Sequence, residues 1–183
     1  VTAGRMERDD AVLIQGASSG VGILGMQIAK YKGARLVIGT STHDGRRAKL
    51  TEYGADIALD SKSPDWADKV LEATDGKGVD LIVDQVSGGV MNNNLRATRI
   101  LGRIVNVGRL GGFTGELDFD LHAARRIDYI GVTFRTRSEE EVAEIIRLMK
   151  DDLWGAVEAG TFTIPIDKEF PLDAAMEAHQ YLS

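Results

Sequence analysis

Three glycines within seven residues, Gly16-Ala17-Ser18-Ser19-Gly20-Val21-Gly22, stand directly between an apolar run and a segment of helical periodicity. The run before them, residues 11–15, is short, apolar and rich in branched side chains, which reads as a buried strand. After them, Val21, Leu24, Ile28 and Tyr31 recur at helical spacing, and Gly33 ends the segment. Glycine lets the chain turn tightly here and brings the backbone close to whatever lies above it. The helix that follows presents unpaired N–H groups and a positive dipole end, so this turn suits an anion.

The rest of the chain repeats the alternation of short apolar runs and amphipathic segments. Residues 35–39 read as a second strand, 45–53 as a second helix closed by Gly54, and 56–59 as a short third strand. Pro64 sits in the first turn of a helix reaching Thr74, followed by the turn Asp75-Gly76-Lys77-Gly78. Strands at 79–83 and 104–107 flank a helix around 90–98. A glycine-rich loop covers 108–120, and a sixth strand is expected at 129–134. Ser138 and Glu141 form a capping box for a helix whose buried stripe is Val142, Ile145, Ile146 and Met149. This order implies an α/β fold, a doubly wound parallel six-stranded sheet with helices on both faces. Residues 1–160 are expected to form that domain. Beyond Gly160 the pattern shifts to 163–166, Pro171 and a short helix carrying Ala175, Met176 and His179, expected to be a stub of another domain.

Composition narrows the chemistry. A net charge of −6 argues against nucleic acid or an acidic membrane surface as a partner. Without cysteine this chain has no disulfide, thiolate nucleophile or cysteine-ligated zinc. Its apolar runs fall well short of the ~18–20 residues a membrane span needs, and no leader is evident, so a cytoplasmic location is expected. His43, His122 and His179 show no metal-ligand spacing, and no metal site or Ser–His–Asp arrangement is expected. Asp84 reads as a carboxylate satisfied by loop N–H groups, and 92–94 as a polar helix face. Glu139, Glu140 and Glu141 suit a helix N-terminus. Met149 and Met176 read as core, and Trp154 as the anchor of a helix end.

A glycine triplet between a strand and a helix, opening a doubly wound sheet, points to dinucleotide binding. NAD-specific sites usually carry an acid at the end of the second strand for the ribose 2′-hydroxyl. Here Thr40, Ser41 and Thr42 come first, then His43, Asp44, Gly45, Arg46 and Arg47. Hydroxyls and guanidinium groups bind a 2′-phosphate that a carboxylate would repel, so NADP(H) is favoured. Asp44 is the one acid near enough to matter, and one of the two arginines is expected to be a solvated helix face.

The turn also resembles that of short-chain dehydrogenases, whose catalysis needs a tyrosine with a lysine four positions on. No tyrosine of this chain is followed so: Arg35, Ile57 and Thr133 follow Tyr31, Tyr53 and Tyr129. The whole chain instead resembles the cofactor half of medium-chain dehydrogenases/reductases, in their zinc-independent quinone oxidoreductase branch. The segments that carry the likeness are VLIQGASSGVG (12–22), YGAD (53–56), GKGVDLIVDQVSGG (76–89), GRIVNVGRLGG (102–112), IGVTFRTRS (130–138) and FPLDAAMEAHQYL (170–182).

The resemblance implies a Rossmann-like fold in which Gly16, Ala17, Ser18, Ser19, Gly20, Val21 and Gly22 cradle a pyrophosphate. It sets Ser41 and Arg46 near the 2′-phosphate, with Thr40 and Thr42 beside them. Val86, Gly88, Val107, Gly108, Arg109, Val132, Thr133 and Phe134 would line the nicotinamide side. Ser19 departs from the glycine common in this branch. Arg109 stands where related synthase enoyl reductases carry a lysine proposed as proton donor, and a guanidinium is a poor proton donor. The implied activity is hydride transfer from NADPH to a quinone or enone, with no catalytic residue expected in this chain. A zinc-dependent alcohol dehydrogenase, a synthase enoyl reductase and a non-catalytic NADP(H)-sensing module are the alternatives. The likeness also implies a homodimer through the sixth strand.

Overall fold

Alternate residues of each strand face opposite sides, and here both sides are apolar, so both must be covered. A computed structural model describes residues 2–182. Its strands are β1 (Ala11–Ile14), β2 (Leu36–Thr40), β3 (Ile57–Leu59), β4 (Val79–Asp84), β5 (Thr98–Asn106) and β6 (Asp128–Gly131). They form one parallel sheet in the order β3-β2-β1-β4-β5-β6. The order reverses between β1 and β4, which opens a crevice at the carboxyl ends of those two strands.

The helices are α1 (Gly20–Tyr31), α2 (Asp44–Arg47), α3 (Trp66–Glu72), α4 (Met91–Ala97), α5 (Phe119–Arg125), α6 (Glu139–Glu158) and α7 (Ala175–Tyr181). Leu13, Ile38, Ile82 and Ile104 make a row across one face of the sheet, packed with Trp66 and Val70 of α3 and Leu95 of α4. Val12, Ile14, Val37, Leu81 and Val105 face the other way, toward Ile23 and Met26 of α1 and Leu50.

Several expectations need correction. The second helix is broken: α2 is a single turn capped by His43, and Leu50–Tyr53 is a separate 3-10 turn ended by Gly54 at φ 96°. β5 starts at Thr98, far earlier than expected, with a register irregularity against β4. β6 ends at Gly131, so Val132, Thr133 and Phe134 lie beyond it. The helix after the glycine loop buries Gly22, Ile23, Met26 and Ala29, whereas Val21 is 57% exposed. On α6, Ile146 and Met149 are exposed, and Leu153 and Ala156 are its buried residues. Met176 is 71% exposed and is not core. Trp154 is partly exposed, its indole N–H donating to Glu158 one turn on (2.8 Å). On α1 and α6 the apolar spacing is that of a helix, but spacing alone does not say which apolar face meets the sheet.

Residues 161–171 carry no helix or strand and run alongside α1. Gln27 holds them as a sheet neighbour would. Its Nε2 donates to the Thr163 carbonyl (2.8 Å) and its Oε1 accepts from the Thr163 N–H (2.9 Å). Next to this clasp, Tyr31 meets the Phe162 ring edge-on at 5.6 Å. Gln27→Leu removes the side-chain hydrogen bonds to Thr163, and one to the Ile23 carbonyl, but no core packing. Thr163 amide exchange is expected to accelerate roughly five- to tenfold, with the sheet amides of β1 and β4 unchanged. Native-state hydrogen exchange reads both at once.

Candidate functional site

Where strands end and helices begin, backbone groups lose their ladder partners and must find others. This protein meets that need with a row of polar side chains. Thr40, Gln15, Asp84 and Asn106 lie two residues beyond Ile38, Leu13, Ile82 and Ile104 respectively, at the ends of β2, β4 and β5 and just past the end of β1. All four are buried. Thr40 Oγ1 donates to Gln15 Oε1 (2.6 Å) and accepts from the Gly16 N–H (3.2 Å). Gln15 Nε2 donates to Asn94 Oδ1 (2.8 Å), and Asn94 Nδ2 donates to Asp84 Oδ2 (3.0 Å). The other oxygen of Asp84 accepts from the N–H groups of Val86 (2.8 Å) and Ser87 (2.9 Å). Asn106 Nδ2 donates to Ser87 Oγ and to the Tyr129 hydroxyl (3.0 Å).

The glycine loop rests on this row. Gly16 sits at φ 67°, in the left-handed region. A Cβ on Gly22 would lie 2.6 Å from Ala17 Cα, so the loop and α1 can approach only because that position is bare. Above Gly20, by contrast, a Cβ would meet nothing within 4 Å. Ser19 caps α1, accepting from the Gly22 N–H (3.1 Å), and its hydroxyl lies 2.8 Å from Gln85 Oε1. The N–H groups of Ser18, Gly20 and Val21 have no acceptor among the described residues. Three free donors around an open space at a helix N-terminus suit a diphosphate.

Beyond β2 the residues expected near a 2′-phosphate separate into two groups. Thr40 is fully buried, and its hydroxyl serves the polar row instead of facing the crevice. Thr42 is exposed. Ser41 Oγ pairs with Ser18 Oγ (3.0 Å), which ties the end of β2 to the glycine loop. Arg47 is committed to Asp44 (2.6 Å) and the Ser41 carbonyl (3.2 Å). That pairing also removes Asp44 as a free acid. The Arg46 guanidinium has no acceptor among the described residues. With Ser18, Lys49 and Tyr53 it lines a cavity of about 720 Å³, whose far wall is Ile166 and Asp167. Asp167 accepts a hydrogen bond from Tyr181.

At the opposite end, Val107 and Gly108 both donate their N–H groups to the Asp84 carbonyl (2.7 and 3.1 Å). A Cβ on Gly108 would lie 2.8 Å from the Gln85 carbonyl, and one on Gly88 2.6 Å from that of Gly111. Val86, Gly88, Gly108 and Arg109 are thereby packed into one turn cluster. Val132, Thr133 and Phe134 share a second cavity with Val107 and Arg109. Lys49, Gln85, Asn106 and Tyr129 are site-lining or supporting residues that sequence reasoning missed. All four polar positions of the row carry a readable signal, a polar residue two past a buried branched one, but periodicity does not announce side-chain partners. Among the described residues no cluster of three or more His, Cys, Asp or Glu side chains is placed to hold a metal ion.

Burial pushes the Asp84 carboxyl up from its ordinary value, against the opposing effect of the Ser87 and Val86 N–H groups and of Asn94. Burial, then the charge of Asp84, also push the Tyr129 phenol up. For a carboxyl raised on folding, the stability it contributes is present below the unfolded value and is lost as pH rises through the folded one. The unfolding free energy of the wild type minus that of Asp84→Asn is therefore expected to fall across that acidic window. Asp84→Ala strands three donors, two of them in buried hydrogen bonds, and is expected to cost about 3 kcal/mol or more. Urea unfolding across an acid-to-neutral pH series measures both.

Comparison with known proteins agrees with this geometry. Residues 20–151 match the family described as zinc-binding dehydrogenase. The rat quinone oxidoreductase (Rattus norvegicus) is 28% identical over 176 residues, covering 96% of this chain and 51% of its own. This chain thus spans about half the length of that relative. A mycobacterial protein solved in complex with NADPH superposes with a TM-score of 0.78 at 28% identity, over 97% of this chain and 55% of the other. A structure described as a putative enoyl reductase domain of polyketide synthase gives 0.75 at 27% identity, covering 91% of each chain. No helix among the described residues is long and apolar enough to cross a membrane. The chain belongs to the zinc-binding dehydrogenase family, as the NAD(P)-binding domain of a medium-chain dehydrogenase/reductase.

Proposed function

We propose that this domain binds NADPH for hydride transfer to a quinone or an enone. The observation that carries the cofactor choice is the unpartnered Arg46 beside Lys49, with the one nearby acid of that turn, Asp44, neutralised by Arg47. Two cations at the end of β2, lining a cavity whose one carboxylate, Asp167, already accepts from Tyr181, favour a 2′-phosphate over a bare 2′-hydroxyl. Ser18, Gly20 and Val21 would hold the pyrophosphate through their N–H groups. Val107, Gly108 and Val132 would form the wall for the nicotinamide ring.

Bound NADPH supplies the hydride; the protein's part is to hold the ring and keep water from the reacting face. The turn of Val86, Gly88 and Gly108 suits that task, because at both glycines a side chain would clash with packed backbone. No residue of this chain is assigned as a proton donor. A second reading, enoyl reduction within a synthase, draws support from the reciprocal coverage with the enoyl reductase domain. Arg109 speaks against it, since a guanidinium does not release a proton near neutral pH. A homodimer through β6, the outer strand on that side of the sheet, belongs to the same proposal.

Calorimetric titration with NADPH and NADH tests the cofactor assignment. NADPH is expected to bind more tightly, and Arg46→Ala to weaken it about tenfold with little effect on NADH. Equal or tighter NADH binding, or an Arg46→Ala variant that binds NADPH normally, would overturn it.

A further inference from the structure

The cavity beyond the end of β5 has a charge character opposite to that of the chain. Its volume is about 640 Å³. Val107, Val132 and Ile145 make apolar walls, Arg109, Arg135 and Arg137 stand around them, and no Asp or Glu lines it. In a chain of net charge −6 this is a local inversion. The three arginines are not equivalent. Arg137 is committed, its Nε donating to the Thr133 carbonyl (3.0 Å) and its Nη1 lying 3.4 Å from Glu141. The guanidinium groups of Arg109 and Arg135 have no acceptor among the described residues.

Both free arginines spring from constrained backbone. Arg109 follows Gly108, which is held against Gln85 and Asp84. The Arg135 N–H donates to Thr133 Oγ1 (3.2 Å), and the next turn is tied back by the Arg137 N–H to the Phe134 carbonyl (3.3 Å). Two unpaired forked donors beside an apolar wall fit a molecule with an apolar body and a planar or tetrahedral anion at one end. The cofactor's phosphates do not explain the pair, because the donors suited to them are at the glycine loop and at Arg46.

We propose that the substrate of this site carries an anionic group, a carboxylate, sulfonate or phosphate, which Arg135 and Arg109 bind while its reducible apolar part lies against Val107 and Val132. This rests on the reading that places the nicotinamide beside those valines. The acid-free walls favour the attraction and would select against neutral compounds of the same shape.

The test uses a matched pair of probes, anthraquinone-2-sulfonate and the neutral anthraquinone-2-sulfonamide, titrated into the chain alone and into the chain saturated with NADP⁺. At low ionic strength the sulfonate is expected to bind about tenfold more tightly. Amide NMR shifts are expected to localise it to Val107 and to residues 132–135. In Arg135→Gln and in Arg109→Gln, two surface changes checked by their thermal midpoints, that preference is expected to fall below about threefold. Equal affinity for the two probes, or a preference that survives both substitutions, would sink the proposal. Displacement of the sulfonate by NADP⁺ would assign the arginines to the cofactor and overturn it as well. Failure of the chain to bind NADP⁺ is a separate outcome that strikes the cofactor reading, because the sulfonate arm is read without it.

Discussion

A buried carboxylate cannot stay charged cheaply, and a strand end cannot leave its amides unpaired; Asp84 answers both constraints at once. Its two oxygens accept from the Val86 and Ser87 amides and from Asn94, so desolvation is offset by three donors that would otherwise lack partners. The carbonyl of the same residue accepts from Val107 and Gly108. Through Asn94 and Gln15 the connection runs on to Thr40 and the Gly16 amide. Four strand ends are thus held by one continuous network. Such networks are rigid when every member is satisfied and costly when one is missing. The glycine loop, the turn after β4 and the turn after β5 all take their positions from it.

The row of polar residues explains how the crevice can be open and still be well defined. Its floor is one residue layer deep. Below it lies the apolar row of Leu13, Ile38, Ile82 and Ile104, and above it the backbone N–H groups of the loop. The site's donors are therefore backbone atoms on a fixed support, and the variable chemistry is left to side chains at the two ends. At one end stand Arg46 and Lys49, at the other Arg109 and Arg135.

Much of this was legible in the sequence, for physical reasons that differ by element. The strands were legible because runs buried on both faces are continuously apolar, and the glycine loop because a turn this tight needs glycine at fixed spacing. That the sheet is parallel and six-stranded followed from the alternation. Helix faces were less legible. Ile146 and Met149 have the spacing of a buried stripe, yet the side of α6 that meets the protein is set by Leu153 and Ala156. Thr40 and Ser41 looked alike as hydroxyls past a strand, but the two-residue period turns the first into the sheet and the second toward Ser18. The choice between Arg46 and Arg47 depended on Asp44, three residues from Arg47 and on the same side of a one-turn helix. Gln85 and Tyr129 were invisible because their roles arise from partners distant in sequence.

The break of the second helix into α2 and a separate 3-10 turn has an evolutionary side. Asp44, Arg46 and Lys49 all lie on that short, exposed stretch, and none of them packs in the core. Substitutions there are of the kind that leave folding stability nearly untouched. The charge that, on the proposed reading, would greet the adenosine end of a dinucleotide is thus free to drift, or to be redesigned, independently of the framework. A descendant of this chain could exchange one nicotinamide cofactor for the other by reversing a few surface charges, with the polar row beneath it left as it stands.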